Sequence, residues 1–321
     1  MISEGALRAV FTLAWLSVVA NGTAWAHPGE VHISPQNWPT AWSWEPGVVI
    51  PLALTAVLYV VGVIRIYSRN RRTPAISRWR VAAFALGWIV LAIALVSPLH
   101  KLGSALFSAH MTQHELLMVV AAPLLAIGKP LIAFLFALPM PWRERLGRMT
   151  SSRAFRRGWL WLTAPLVVWA LHGLTLWIWH LPSLYQATLD DEFIHALQHI
   201  SFLGTALLFW WTLIEGRYGR LGYGAALIYV FTTALHSSVL GALITFTQQL
   251  WYPIYSGRTL PWHLTALEDQ QLGGLIMWIP SGTVFVVVGL AMLGAWLGES
   301  ERRQKFSRLS QALESGVSNG D

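Results

Sequence analysis

Long apolar runs alternate with short polar segments over almost all of the 321 residues. Several runs approach the length of about 20 residues that an α-helix needs to cross a hydrocarbon core of roughly 30 Å. The pattern predicts an all-α fold, a polytopic membrane helix bundle. Its seven transmembrane helices are predicted at about residues 47–67, 79–96, 104–127, 159–181, 194–214, 221–247 and 272–296.

The two ends of the chain differ from this core. Residues 1–26 contain Arg8, an apolar run and the sequence Ala-Trp-Ala, the layout of a secretory signal peptide. An uncleaved anchor helix is the alternative, but the apolar run is short for a span, which favours cleavage. Residues 27–46 are predicted to form an exported segment, residues 47–297 the seven-helix domain and residues 298–321 a cytoplasmic tail.

Basic residues are distributed very unevenly between the two sets of loops. The segments between the first and second, third and fourth, and fifth and sixth spans, together with the tail, hold 19 of the 22 Lys and Arg residues. Short loops rich in Lys and Arg stay in the cytoplasm. The sequence therefore predicts a multi-pass protein of the bacterial inner membrane, with an exported N-terminus and a cytoplasmic C-terminus.

Composition limits the partners and the metal ligands that the chain can have. Only 12% of the residues are charged, about half of what a soluble protein carries, and there is no Cys. The formal charge of +7 is explained by the topology, so we expect membrane lipid and not nucleic acid as the surrounding partner. The lack of Cys excludes disulfides and thiolate metal sites, which leaves imidazole, thioether, carboxylate and backbone oxygen as metal ligands.

Histidines are concentrated in the spans and in the loops predicted to be exported. The segment from Ser97 to Lys129, expected to be one long apolar helix, contains His110 and His114. Residues four apart lie on one face of a helix, and His195 and His199 repeat this spacing at the start of the fifth span. Two such pairs at matching depth predict a metal site shared by two helices.

Neighbouring polar and sulfur-containing residues extend this hypothesis. Glu115 is a candidate hydrogen-bond acceptor for a ligating imidazole, or a proton carrier. Met111 and Met118 share a helical face, and thioether suits Cu(I), although methionine also fills gaps in cores. Copper is favoured by imidazole with thioether in an oxidising compartment; zinc, haem held between two helices, or purely structural packing of the histidines are the alternatives.

Five segments also carry a family resemblance. They are SAHMTQHELLMVVAAPLLAIGKP (residues 108–130), WHLPSLYQATL (179–189), HALQHISFLGTALLFWW (195–211), HSSVLGALITF (236–246) and LEDQQLGGLIMWIPSG (267–282). In this order they are similar to the polytopic CtaG family of cytochrome c oxidase assembly factors. The resemblance covers about residues 98–294, and it is not to the single-span copper chaperone of the same name, which uses paired thiolates.

The resemblance implies a function without catalytic turnover: assembly of a haem-copper oxidase, through delivery of copper to an oxidase subunit. Other copper chaperones are further candidate partners. The family's polar positions and the neighbouring thioether give the candidate metal ligands, which are His110, His114, His195, His199, His180, His236, Asp269 and Met111, with Gln270 beside them. A copper transporter or storage protein, a haem-binding electron-transfer protein and an oxidase scaffold remain the alternatives.

Overall fold

Proline marks the first turn of many helices in this chain. The computed structural model describes residues 33–69, 74–214 and 222–318, and over these ranges the chain forms helices and no strand. The predicted signal peptide and the first residues of the predicted exported segment lie outside the described residues. Helices begin at Pro46, Pro98, Pro130, Pro165 and Pro182, because the first helical position needs no backbone N–H and suits the fixed φ of proline.

The helices are numbered here in chain order. They are α1 (Pro46–Arg69), α2 (Arg78–Val96), α3 (Pro98–Leu102), α4 (Phe107–Glu115), a π-helix (Leu116–Ala121), α5 (Ala122–Ile127), α6 (Pro130–Ala137), α7 (Met140–Ser151), α8 (Arg153–Leu162), α9 (Pro165–Trp179), α10 (Pro182–Asp190), α11 (Glu192–Ile214), α12 (Tyr223–Phe246) and α13 (Ala266–Ser318).

Six of the described helical stretches are long and apolar enough to cross a membrane. The α8–α9 pair makes a seventh if it is counted as one span, and its two helices meet at an angle of 58°. The predicted fourth span is therefore not straight. It breaks at Thr163 and Ala164, because Pro165 lacks the N–H group that a continuous helix would require. The all-α, multi-pass membrane architecture is confirmed.

The expectation of one helix from Ser97 to Lys129 is wrong. The chain forms the short α3, turns between residues 103 and 106, and starts again as α4. Six residues of π-helix then join α4 to α5. Pro123 explains the position of the wider turn, since proline cannot complete the regular α-helical bonding and a π-turn accommodates the loss.

The α4–π–α5 segment, one continuous helical stretch from Phe107 to Ile127, lies at the centre of the bundle. Its most apolar window is 67% buried, against 17% to 39% for the other five long helices. Elsewhere in the bundle α1 packs closely on α6, where a Cβ at Gly62 would overlap the Ala133 carbonyl oxygen. The helix that contains the last predicted span, α13, continues past Gly298 into the predicted tail.

Candidate metal centre

The predicted histidine pairs meet at one end of the bundle. On α4, the rings of His110 and His114 have centroids 4.4 Å apart, and on α11 those of His195 and His199 are separated by 4.3 Å. The two helices bring the pairs into direct contact: the His110–His195 centroid distance is 5.2 Å and the His114–His199 distance is 5.4 Å. The helical spacing thus forms one cluster, as expected for two facing i,i+4 pairs.

A fifth imidazole, which the i,i+4 spacing does not predict, completes this histidine cluster. His100 on α3 stacks on His195 with a centroid distance of 5.3 Å and lies 5.9 Å from His199. Its position depends on the turn between α3 and α4, because a continuous helix would have carried it away from His110. The feature of the sequence that could have indicated His100 is its position immediately before a predicted span that carries two histidines.

The hydrogen bonds around the cluster leave several imidazole nitrogens without a partner. His110 Nε2 lies 3.2 Å from the side-chain oxygen of Gln198. With the Gln198 amide in this orientation, His110 donates its Nε2–H to that oxygen, and its Nδ1 keeps a lone pair. His110 Nδ1, both nitrogens of His114, and the Nε2 atoms of His195 and His199 are buried without a hydrogen bond. Such groups are costly unless an ion or water satisfies them.

The nitrogens are close enough to share an ion. One ligand atom from each of His110, His114 and His199 lies within 4.8 Å of the others, and the same holds for His100, His195 and His199. Two nitrogens on one metal at roughly 2.0–2.1 Å lie no more than about 4.2 Å apart, so only a small approach is needed. The orphaned nitrogens and the absence of Cys both fit a copper or zinc ion held by imidazoles.

The first of these two triads is better prepared for metal binding. Gln113 donates its side-chain amide to Ala94 O at 2.8 Å and to His100 Nδ1 at 3.0 Å. A neutral imidazole that accepts at Nδ1 carries its proton on Nε2. His100 therefore directs an N–H group toward Glu45, whose carboxylate is 3.8 Å away, whereas His110, His114 and His199 already present free nitrogens.

Charged groups lie beside His100, at the rim of the cluster. Lys101 donates to the Glu45 carboxylate at 2.8 Å. Burial raises the pKa of Glu45, but hydrogen bonds from Lys101 and Ser43 outweigh it and lower this pKa to about 2. Burial lowers the pKa of His100 to about 4, so its imidazole is neutral at pH 7. The rim thus holds the Glu45–Lys101 ion pair and a neutral imidazole.

Aromatic side chains cover another side of the cluster. The Tyr185 ring on α10 lies 5.1 Å from that of His110, and its hydroxyl is 2.8 Å from the hydroxyl of Tyr255. Tyr255 in turn donates to Gly103 O in the turn before α4. Phe107 stacks on Tyr252 at 4.7 Å. Tyr252 and Tyr255 belong to the loop between α12 and α13, so these rings pack that loop against α4 and α10 beside the histidines.

The other two predicted histidines lie outside both triads. His180 donates from Nδ1 to Leu176 O at 2.7 Å, and its ring packs 6.1 Å from Phe202. His236 on α12 faces α9, where its Nε2 atom would contact a Cβ at Gly173 and its ring lies 5.8 Å from Trp169. His180 Nε2 and both nitrogens of His236 are buried without a partner. Their metal-binding roles stay predictions.

Asp269 and its neighbour Gln270 are fully engaged in hydrogen bonds. Asp269 accepts from the backbone N–H groups of Phe107, at 2.6 Å, and Ser108, and from the Ser108 hydroxyl. Gln270 accepts from Trp251 N at 2.7 Å and donates to the loop before α13. These residues fasten α13 to the start of α4 and to the loop, and the ligand role predicted for Asp269 stays a prediction.

Met111 faces α13. Its side chain is 1% exposed and packs on α13, where its Cγ would lie 3.3 Å from a Cβ at Gly273. The structure therefore places the Met111 thioether in the interface between α4 and α13. The role predicted for it as a metal ligand stays a prediction.

Comparison with known proteins places this geometry in context. Residues 57–299 match the family described as Cytochrome c oxidase caa3 assembly factor (Caa3_CtaG). Among curated proteins, an uncharacterized protein of Mycobacterium leprae is 26% identical over 82% of this chain, and one of Mycobacterium bovis is 28% identical over 82%. The chain spans 40% of the length of each of these relatives. No solved structure matches the chain significantly.

Proposed function

The chain belongs to the Caa3_CtaG family of cytochrome c oxidase assembly factors, and from this premise we propose that it holds copper at the histidine cluster and passes it to a haem-copper oxidase during assembly. The copper is cargo, and the protein acts by binding and release without catalytic turnover. The oxidase subunit that receives copper is the partner, with other copper chaperones as sources of the ion.

The observation that carries this proposal is the set of orphaned nitrogens on His110, His114 and His199. Purely structural histidines in a membrane bundle normally bond to a neighbouring helix. Here three neighbouring imidazoles have buried nitrogens without partners, and one ligand atom of each lies within 4.8 Å of the others, which is costly without an ion. Neutral imidazoles suit copper, and an oxidase under assembly requires it.

Ring packing favours copper over haem. A haem between two axial histidines requires a slot for the macrocycle between their helices. The His110 and His114 rings contact the rings of α11 directly, with centroid distances of 5.2 Å and 5.4 Å, which leaves room for a single ion. A purified protein that shows no Soret band would agree with this choice.

Orientation is part of the proposal. We propose that the histidine end of the bundle lies on the exported side of the bacterial inner membrane, and the uneven distribution of basic residues supports this orientation. An oxidase subunit in the same membrane would then meet the cluster near its rim at Glu45 and Lys101. Copper would reach the cluster from the exported side, where no thiolate competition from the cytosol occurs.

The proposal predicts the behaviour of ligand variants in cells. His114→Ala or His199→Ala should leave the protein inserted, since alanine is apolar, but should lower oxidase activity under copper limitation. Loss of a ligand should weaken copper binding by about ten-fold or more, so added copper should restore part of the activity. Oxidase turnover, subunit level and haem content are measured together, and haem should be unchanged.

His263→Asn is the matched control. This histidine is exposed, belongs to neither triad and has a φ of 59°, a conformation that asparagine tolerates. Its variant should support full oxidase activity at every copper level. Normal oxidase activity in His114→Ala and His199→Ala cells starved of copper would refute copper delivery, and the scaffold hypothesis would replace it.

A further inference from the structure

A second polar site lies beside Glu115, away from the triads of the histidine cluster. A cavity of about 20 Å³ opens between the π-helix, α9, α11, α12 and α13. It is lined by Glu115, His172, Met118 and Met277, together with hydroxyl groups from α12 and α13. This volume accommodates one water-sized particle. None of these residues belongs to the two histidine triads, so the cavity is a separate site.

The hydroxyl groups that line the cavity present lone pairs to it. Thr233 donates its proton to Tyr229 O at 2.8 Å, and Ser237 donates to Thr233 O at 3.0 Å. Ser281 likewise donates to Met277 O within α13. A hydroxyl has one proton, so each of these oxygens has only acceptor capacity left for the cavity.

His172 also presents a lone pair, as its hydrogen bond shows. Its Nδ1 lies 3.2 Å from the Thr205 hydroxyl oxygen, and Thr205 donates its own proton to Ser201 O at 2.8 Å. Thr205 must therefore accept from His172 Nδ1–H, which leaves Nε2 of the neutral imidazole as an acceptor. A histidine held by one nitrogen with the other free is the usual arrangement of a metal ligand.

Glu115 contributes the charge. Its residue is 8% exposed, and its Oε2 atom is buried without a hydrogen bond. Among the described residues that line the cavity, Glu115 alone is formally charged when ionised. A carboxylate in an apolar interior is neutralised by a proton or by a bound cation. A monovalent cation balances its charge, whereas a divalent ion would leave an uncompensated charge.

We propose that this cavity is a Cu(I) site formed by Glu115, His172, Met118 and Met277. Two thioethers and an imidazole favour a soft cation over Na⁺ or K⁺, and the single carboxylate favours a monovalent one. The choice of copper rests on the proposed function, because the histidine cluster supplies the same ion. The π-helix supports the assignment, since such turns are frequent at functional sites and this one begins directly after Glu115.

Copper K-edge X-ray absorption and copper stoichiometry test this site. Full-length protein in detergent is loaded anaerobically with Cu(I) and equilibrated with a chromogenic Cu(I) chelator. The wild type should show sulfur as well as nitrogen scattering. Met118→Leu with Met277→Leu should lose the sulfur scattering and about one copper per protein, because leucine preserves the packing volume but offers no ligand. Glu115→Gln should lose the same copper at a lower chelator concentration than the wild type.

Met292→Leu is the matched control, since Met292 is a partly buried thioether of α13 that does not line the cavity. Its variant should retain the sulfur scattering and all copper. Wild-type protein that shows nitrogen scattering alone, with copper unchanged in the double variant, would overturn this inference and leave water as the occupant. A His114→Ala, His199→Ala variant distinguishes the two proposals: if it retains all wild-type copper, the cluster proposal fails while the cavity site stands.

Discussion

The carboxylate of Asp269 connects two helices that are distant in the sequence. Its oxygens accept the backbone N–H groups of Phe107 and Ser108, which have no partner within the first turn of α4. A negative charge is also favoured there by the helix dipole. The residue therefore determines where α4 begins, and with it the position of His110 one turn later.

We expect Asp269→Asn to destabilise the protein without removing copper from the cluster. The asparagine amide keeps one acceptor oxygen, but its NH2 group would face a backbone N–H group of α4. This repulsion should lower the free energy of unfolding by about 2 kcal/mol. Thermal unfolding in detergent and copper stoichiometry are measured on the same sample. An unchanged unfolding temperature together with lost copper would instead establish Asp269 as a ligand.

At the scale of elements, the approach of α4 to α13 depends on Gly273. A Cβ at this position would lie 2.2 Å from the Phe107 ring. That ring is fully buried and stacked on Tyr252, so it has no free direction in which to move. The close packing of two helices in a membrane relies on such small residues.

Gly273→Ala should therefore lower stability, whereas Gly289→Ala should not. The first change overpacks the α4–α13 interface and should cost about 1–3 kcal/mol in the free energy of unfolding. Gly289 lies on the same helix with nothing within 4 Å of a Cβ. Alanine there should leave the free energy of unfolding unchanged or raise it by up to about 1 kcal/mol. Thermal unfolding of both variants makes the comparison, and equal effects would contradict the close contact.

At the scale of the whole molecule, the bent α8–α9 pair determines how many times the chain crosses the membrane. If the pair crosses the membrane, the described helices make seven spans, and the segments before the first and after the last span lie on opposite sides. If the pair enters and leaves on one side, there are six spans and both segments lie on the same side. The distribution of 19 of 22 basic residues agrees with seven.

Alkaline phosphatase fusions separate these arrangements, because the enzyme is active only after export. A fusion at the C-terminus should be inactive and one after Asp190, at the end of α10, should be active. A fusion after Ser151, at the end of α7, should be inactive. Equal activity of the fusions after Ser151 and Asp190 would show that the bent pair does not cross.

Local properties of the chain were sufficient to predict the all-α membrane bundle and the two histidine pairs. Span length depends on hydropathy alone, and the spacing of His110 and His114 places them on one face of any helix. The match to the oxidase assembly family likewise depends on sequence order. These features need no knowledge of which helices are neighbours.

Contacts between remote segments could be decided only by the tertiary structure. The turn that brings His100 to the cluster depends on Asp269, which lies more than 160 residues later than the helix it caps. The sequence likewise grouped Glu115 with the histidine pair, but the packing of five helices turns it toward the cavity with His172. Which side chains share a site depends on helix crossing and register, and these are set by close packing between surfaces that the linear order does not pair.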